Sequence, residues 1–333
     1  MENIIGQESK FTGIADLTSD QVEKTFQKKV LVLELHVGQW RYKRPSKKAL
    51  AAMADKLGID EKHLSAQYLA ADRIYFKPLE RCITDFKAVI TDHTLGHSEK
   101  ANYTLPVSNY ELIDETIRDF CLEFEKHVSG IASQFDRIKT EARNALNGDF
   151  GLFNDLDYPS IEQLTGDTVI HRQGEARRTK GKYYFSYKFK PYTTAGSLQA
   201  DLVSDSLKDL KKIMEQETLN DFHSVIGDIW DRIFTCTKNL KDAMKKPDRQ
   251  DKSGEFQAPI FRDSIIGNIK DLVNIIPSLN IFQDPAIDAA REELIQELCQ
   301  LDPQELRDNK EKRIEAEKKA DKILNKLPGM FGN

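Results

Sequence analysis

From Tyr110 to Leu146 apolar residues recur every three or four positions: Tyr110, Ile113, Ile117, Phe120, Phe124, Val128, Ile131, Phe135, Ile138, Ala142 and Ala145. Polar and charged residues fill most of the gaps, which is the pattern of one apolar stripe along a helix. Pro106 bars helix upstream, Ser108 and Glu111 stand in capping-box register, and Gly148 follows the last apolar position. At ~1.5 Å per residue the pattern predicts a single helix of about 55 Å. A second stripe runs from Ser197 to Lys246 through Val203, Leu207, Leu210, Met214, Phe222, Val225, Ile229, Ile233, Leu240 and Met244. Two helices of similar length joined by about fifty residues can fold back as an antiparallel coiled-coil hairpin. The predicted seam sets Ile113, Ile117, Phe120, Phe124, Val128, Ile131, Phe135 and Ile138 against Phe222, Ile229 and Ile233.

Two stretches read as strands instead. Val30 to Tyr42 is rich in β-branched, leucine and aromatic residues, with Leu31, Leu33, Leu35 and Val37 on one face. Lys182 to Tyr192 alternates Tyr183, Phe185, Tyr187 and Phe189 with lysines and Ser186 before Pro191. The two are expected to pair at one end of the hairpin, in a sheet of two or three strands. Shorter helices are predicted at Leu17 to Lys28, Lys47 to Leu57, Asp60 to Ala71 and from Pro78 onward, with residues 93–108 a loop. At the C-terminal end, helices are expected at Ile260 to Ile276, Pro285 to Leu301 and Asp302 to Leu327, with Asn280 to Asp284 an exposed connection. The fold class is therefore mainly α. Its expected divisions are a tail with a short helix (1–29), the hairpin domain with its small sheet (30–247), a linker (248–256) and a C-terminal helical segment (257–333).

Composition sharpens this. Of 333 residues 39% are apolar and 31% charged, a balance suited to long, water-exposed helices. The formal charge of −5 conceals a separation. Gln39 to Lys48 carries five cations and no acid, and Arg172 to Lys190 carries seven cations against Glu175; taking these eleven net positive charges away leaves −16 elsewhere. Cys82, Cys121, Cys236 and Cys299 are far apart and form no C-x-x-C pair, so reduced thiols are expected. The first residues lack a signal-peptide pattern and no run of about 18 apolar residues occurs, which points to a cytoplasmic protein without a membrane partner.

Several short motifs taken together resemble one family. They are the strand ending in Trp40; His93-Thr94-Leu95 followed by Tyr103-Thr-Leu-Pro106 and Tyr110; Tyr158-Pro159; Phe189-Lys-Pro191; and Phe261-Arg-Asp leading to Ile276-Pro-Ser-Leu-Asn-Ile-Phe-Gln-Asp-Pro285. The chain from about residue 30 is similar to a domain-of-unknown-function family carried by bacteriophages and conjugative elements. Genes of that family sit near a MoxR-like AAA+ ATPase and a von Willebrand A protein. The resemblance implies an accessory or adaptor role in a bacterial host cell, with no activity to carry over.

Catalytic chemistry finds little foothold. Neither G-x-x-x-x-G-K-[ST] nor G-x-G-x-x-G occurs, and no G-x-S-x-G elbow is present. His93 and His97 have zinc-ligand spacing but no second pair nearby, Glu123 and His127 stand one turn apart as many exposed pairs do, and Asp221, Asp228 and Asp231 share a helix whose acids read as its wet face. No catalytic residue, metal site or cofactor is expected. The constellation above background is basic and aromatic: Trp40, Arg41, Lys43 and Arg44 with Arg172, Arg177, Arg178, Lys180, Lys182 and Tyr184. Cations neutralise phosphates and rings stack on single-stranded bases, while the same pattern also describes a structural strand with a guarded edge. The expectation is a non-enzymatic helical adaptor, oligomeric or docked on a partner such as an AAA+ ATPase; the alternative is a nucleic-acid-binding accessory protein using residues 39–48 and 172–190.

Overall fold

The computed structural model describes residues 17–45, 47–64, 67–97, 102–146, 158–175, 178–195, 205–246, 249–250, 256–257 and 262–327. The protein is mainly helical with a small sheet. In chain order the first part holds α1 (Ser19–Lys29), β1 (Val30–Gly38), β2 (Lys43–Pro45), α2 (Lys47–Leu57), β3 (Gln67–Leu69), α3 (Lys77–His93), β4 (Leu95–His97) and β5 (Asn102–Pro106). Then come α4 (Tyr110–Ser133), α5 (Phe135–Leu146), α6 (Ile161–Thr165), β6 (Ile170–His171), β7 (Tyr184–Pro191) and α7 (Asp205–Met244). The last part holds β8 (Arg249–Gln250), β9 (Phe256–Gln257), α8 (Ser264–Leu279), α9 (Pro285–Glu297), α10 (Pro303–Asp308) and α11 (Lys310–Leu324).

The main sheet has the order β4-β5-β1-β7-β6, antiparallel except for the β6–β7 pair. The expected pairing of the two long strands holds, with Leu33 opposite Phe189 and Leu35 opposite Tyr187. The sheet is larger than two or three strands because β4, β5 and β6 join it, and residues 95–97 and 102–106, expected as loop, are strand. Strands of two to five residues are too short to show a period; β5 and β6 form on the backbone partners that β1 and β7 offer, and β4 on β5.

Two cores flank this sheet. In the first, Leu33, Leu35, Leu105 and Phe185 from the inner face of the sheet meet Ile83, Phe86 and Ile90 of α3 and the whole stripe of α4 and α5, from Ile113 to Ile138. In the second, α7 from Phe222 to Met244 packs with Val22 and Phe26 of α1, with α8 and α9, and with Leu306, Ala316, Ala320 and Ile323 of α10 and α11. The coiled-coil hairpin is therefore replaced by a different arrangement. All eleven seam residues are buried, but α4 packs on α3 and α6 while α7 packs on α8, α11 and α1. A stripe states that a helix needs an apolar neighbour and not which one, and the sheet and α3 satisfied α4 first. Helices α1 and α7, before residues 248–256, share the second core with α8 to α11, after them.

Local chemistry explains the element ends. Thr18 and Gln21 form the capping box of α1. The predicted 37-residue helix breaks at Gln134, where the Ser133 hydroxyl and the Gln134 amide both donate to the Gly130 carbonyl and compete with the helix ladder. Ser108 does not cap α4; its hydroxyl donates to the Ser278 carbonyl. Gly148 lies outside the described residues. The expected helix from Asp60 to Ala71 is a single turn at Glu61–His63 followed by β3, and the expected final helix is split, with Asn309 capping α11. Helix α8 continues through Pro277 to Leu279. Proline leaves the carbonyl four residues earlier without its donor, and Arg291 of α9 supplies one, its Nε lying 2.6 Å from the Val273 oxygen.

The Asn280 to Asp284 connection, expected to be exposed, buries Asn280, Ile281 and Asp284 and leaves Gln283 in solvent. Asn280 donates to the Asp284 carbonyl and the Asp288 carboxylate and accepts from the Asp284 amide, while Phe282 packs its ring edge against Phe26 and Phe222. Arg232 of α7 ties the cores together: its guanidinium donates to the carbonyls of Thr91, Asp92 and Thr94 at 2.9, 2.7 and 2.7 Å, where α3 runs out of internal donors.

Candidate functional site

Strand β7 has two chemically opposite faces. Phe185, Tyr187 and Phe189 turn into the first core, together with Tyr183 just ahead of the strand. Period two then sends Tyr184, Ser186, Lys188 and Lys190 to the other face. Register carries the same polarity onto the neighbours: Lys188 faces Glu34, Ser186 faces His36 on one side and His171 on the other, and Glu34 faces Asn102. This face carries an open cleft of about 360 Å³ whose lining includes Glu34, His36, His171, Ser186 and Lys188.

The rim is the 166–181 loop, held by close backbone contacts. Gly166 has φ +61, and a side chain there would strike the Thr179 carbonyl; one at Gly181 would strike the Leu164 carbonyl. Asp167 accepts the Thr179 amide at 2.8 Å, and that bond holds its carboxyl below the usual range. Gln173 extends the sheet past β6, donating to the Phe189 carbonyl and accepting the Phe189 amide at 3.1 and 2.7 Å. The loop so placed brings Arg172, Arg178 and Lys180 over the floor.

Four cations and two carboxylates line the cleft. Glu34 accepts from Lys190 and bonds His36 Nε2 at 3.0 Å, and these two bonds pull its carboxyl from 4.5 down to about 2. Glu175 pairs with Arg172 at 3.7 Å. Lys180 Nζ lies 4.5 Å above the Tyr184 ring and 3.5 Å from the Ser186 hydroxyl. Among the described residues His171 Nε2 is enclosed without a hydrogen-bond partner, and burial, followed by the charge on Lys180, pushes its pKa below 6.5. The floor therefore presents a neutral imidazole beside retained positive charge.

The anticipated site is only partly assembled. Arg172, Arg178 and Lys180 line the cleft, Tyr184 lies beside it and Lys182 is exposed just ahead of β7; Arg177 lies outside the described residues. Trp40 is instead a core residue, 4% exposed, with its ring edge-on to Phe76 and Phe135, so it is closed to stacking on a ligand. Arg41 is exposed beyond the end of β1, and the side chains of Lys43 and Arg44 lie outside what is described. Glu34, His36, His171, Ser186 and Gln173 were missed, although the polar alternation Glu34, His36 between Leu33, Leu35 and Val37 was a readable signal.

Other candidates are taken up by structure. His93 Nδ1 bonds the Val89 carbonyl, Asp221 accepts from Tyr192, and Asp228 pairs with Arg232 at 2.9 Å. Burial raises the Cys121 thiol to about 11 and lifts Cys82, Cys236 and Cys299 as well, so all four free thiols resist ionisation. Among the described residues no cluster of three metal-ligating side chains occurs, and no helix is long and apolar enough to cross a membrane.

The second surface feature is the leading part of α7. Its buried run begins at Thr218, whereas Asp209 to Glu217 are exposed or half-exposed. Leu210 and Ile213 are 40% and 55% exposed. On the sheet side, Met214, Glu217 and Asp221 wall a cleft of about 440 Å³ whose other side is Val32, Asn102 and Lys190. Comparison of the chain with protein-family models, with curated proteins and with solved structures finds no match.

Proposed function

We propose that this chain is a non-enzymatic adaptor that self-associates through the leading turns of α7 and docks on a partner protein. The observation that carries the reading is the stretch Asp209 to Glu217, none of it buried, with Leu210 and Ile213 facing solvent on a helix whose apolar stripe from Phe222 to Met244 is core. Charge names a second copy as the occupant. Lys211 and Lys212 precede Met214, and Glu215 and Glu217 follow it. Two such segments laid antiparallel about Met214 set the lysines of each against the glutamates of the other, while Leu210 and Ile213 close the seam. So short a seam supports a weak, concentration-dependent pair rather than an obligate dimer. The family resemblance adds a setting, a phage or mobile element in the cytoplasm of a bacterial host, and a candidate partner, an AAA+ ATPase.

Light scattering on the purified chain tests this. The wild type is expected to move from monomer toward dimer across the micromolar range, and Leu210→Glu with Ile213→Glu to stay monomeric with an unchanged circular dichroism spectrum. A wild type that remains monomeric throughout refutes the reading.

A further inference from the structure

We propose that the open face of the sheet binds single-stranded nucleic acid through its phosphate backbone. The proposal is independent of self-association and rests on the arrangement of charge over that face. Lys188 and Lys190 lie on one row of β7, Lys182 stands just ahead of the strand, and Arg178 and Lys180 overhang the row; at ~3.3 Å per residue the stretch from 182 to 190 reaches at most about 26 Å. A linear row of cations matches a polymer of regularly spaced charges better than one compact anion.

The charges differ in how far they are already engaged. Lys190 is held by Glu34 and Arg172 by Glu175. Among the described residues Lys182, Lys188 and Arg178 make no ion pair, and Lys180 contacts only the neutral Ser186 hydroxyl and Tyr184 ring. About four cations are thus available to phosphates. Between them stand the Ser186 hydroxyl and the half-buried Tyr184 ring, groups able to meet a sugar-phosphate chain. Because Trp40 is in the core and Lys180 occupies one face of Tyr184, stacking contributes little, and binding is expected to depend weakly on sequence. The floor lies between residues 178–181 and the α7 wall, in clefts of about 360 and 440 Å³, a size range common to sites for small groups.

The experiment is fluorescence anisotropy of a labelled oligothymidylate of about twelve nucleotides, a length within the site sizes of single-strand binders. At about 50 mM salt it is expected to bind, with a slope of log K against log salt near −3 for about four phosphates neutralised. Lys182→Glu with Lys188→Glu is expected to lower the affinity at least tenfold, while Arg81→Glu on the outer surface of α3 leaves it unchanged. Neutral Lys188→Gln, checked for an unshifted melting temperature, is expected to reduce the slope by about 0.7 and so separates loss of charge from loss of fold. The proposal is overturned by absence of binding at about 50 mM salt, by affinity that survives the double reversal, or by equal affinity for a polyglutamate of the same charge, which would assign the face to an acidic protein. The Leu210→Glu, Ile213→Glu variant, expected to retain strand binding, keeps failure of this site distinct from failure of self-association.

Discussion

Helices α4 and α7 present the same apolar period in sequence and meet opposite fates. Every stripe position of α4 from Ile113 to Ile131 is buried, because α3, the sheet and α6 cover its face along its length. In α7 none of Asp209 to Glu217 is buried, and burial starts at Thr218, on the part of the helix whose stripe packs with α8, α11 and α1. Helix length matched to its cover is architecture; helix length in excess of its cover is surface available to something else. The same contrast is repeated on β7, where one face is spent on aromatic packing and the other carries lysines into an open cleft.

Substitutions along the two helices put the contrast at risk, and the largest effect is expected in α4. Phe124 is fully buried and contacts Phe120 and Phe185, so Phe124→Ala should destabilise by about 3–5 kcal/mol. Each core holds one of the two tryptophans, Trp40 in the first and Trp230 in the second, so single-tryptophan variants followed by fluorescence in urea report which core gives way. A loss seen first at Trp230 would mean that the cores are not separate. Next in size is the link between them. Arg232→Ala strips three carbonyls at the end of α3 of their donor and should cost about 3 kcal/mol, read in the same urea titration with both reporters shifting together.

A smaller effect concerns the cleft floor and is visible in pH. The Glu34 carboxyl is lowered to about 2 in the folded protein, so its pairing with Lys190 and His36 stabilises the fold above its ordinary value of 4.5 and fades as pH falls from there toward 2. Partial exposure screens the pair, so Glu34→Gln should cost about 1 kcal/mol at pH 7 and flatten the acid side of the stability profile between pH 4.5 and 2. The smallest effect is expected at the uncovered end of α7. Leu210→Ala should change the stability of the dilute monomer by less than about 0.5 kcal/mol in a thermal melt, an order below Phe124→Ala. A loss of 2 kcal/mol or more would place Leu210 in a core and erase the distinction between the helices.

Legibility in the sequence followed the reach of each signal. Periods over long windows survived folding: α1, α2, α3, the α4–α5 stripe and the β1–β7 pair are where apolar spacing and capping residues put them. Partner choice was not readable, because the apolar side of Phe124 and that of Ile229 are equally complementary in composition and only packing assigns them to different cores. Short strands such as Ile170–His171 carry too few residues for a period and depend on β7 for their hydrogen bonds. At the site, charge runs located Arg172, Arg178 and Lys180, but the run at 39–48 mixed exposed cations with Trp40, whose indole is needed between Phe76 and Phe135. His36 and His171, 135 positions apart in the chain, meet across Ser186 only through register.

The central claim, that the leading turns of α7 are surplus to the fold and serve association, is tested most directly by measuring mass in solution. Multi-angle light scattering across the micromolar range should show the wild type passing from monomer to dimer and the Leu210→Glu, Ile213→Glu variant remaining monomeric, both with the same melting temperature in dilute solution. A variant that still dimerises, or one that loses its fold along with its partner, would show that those turns are not the free surface described.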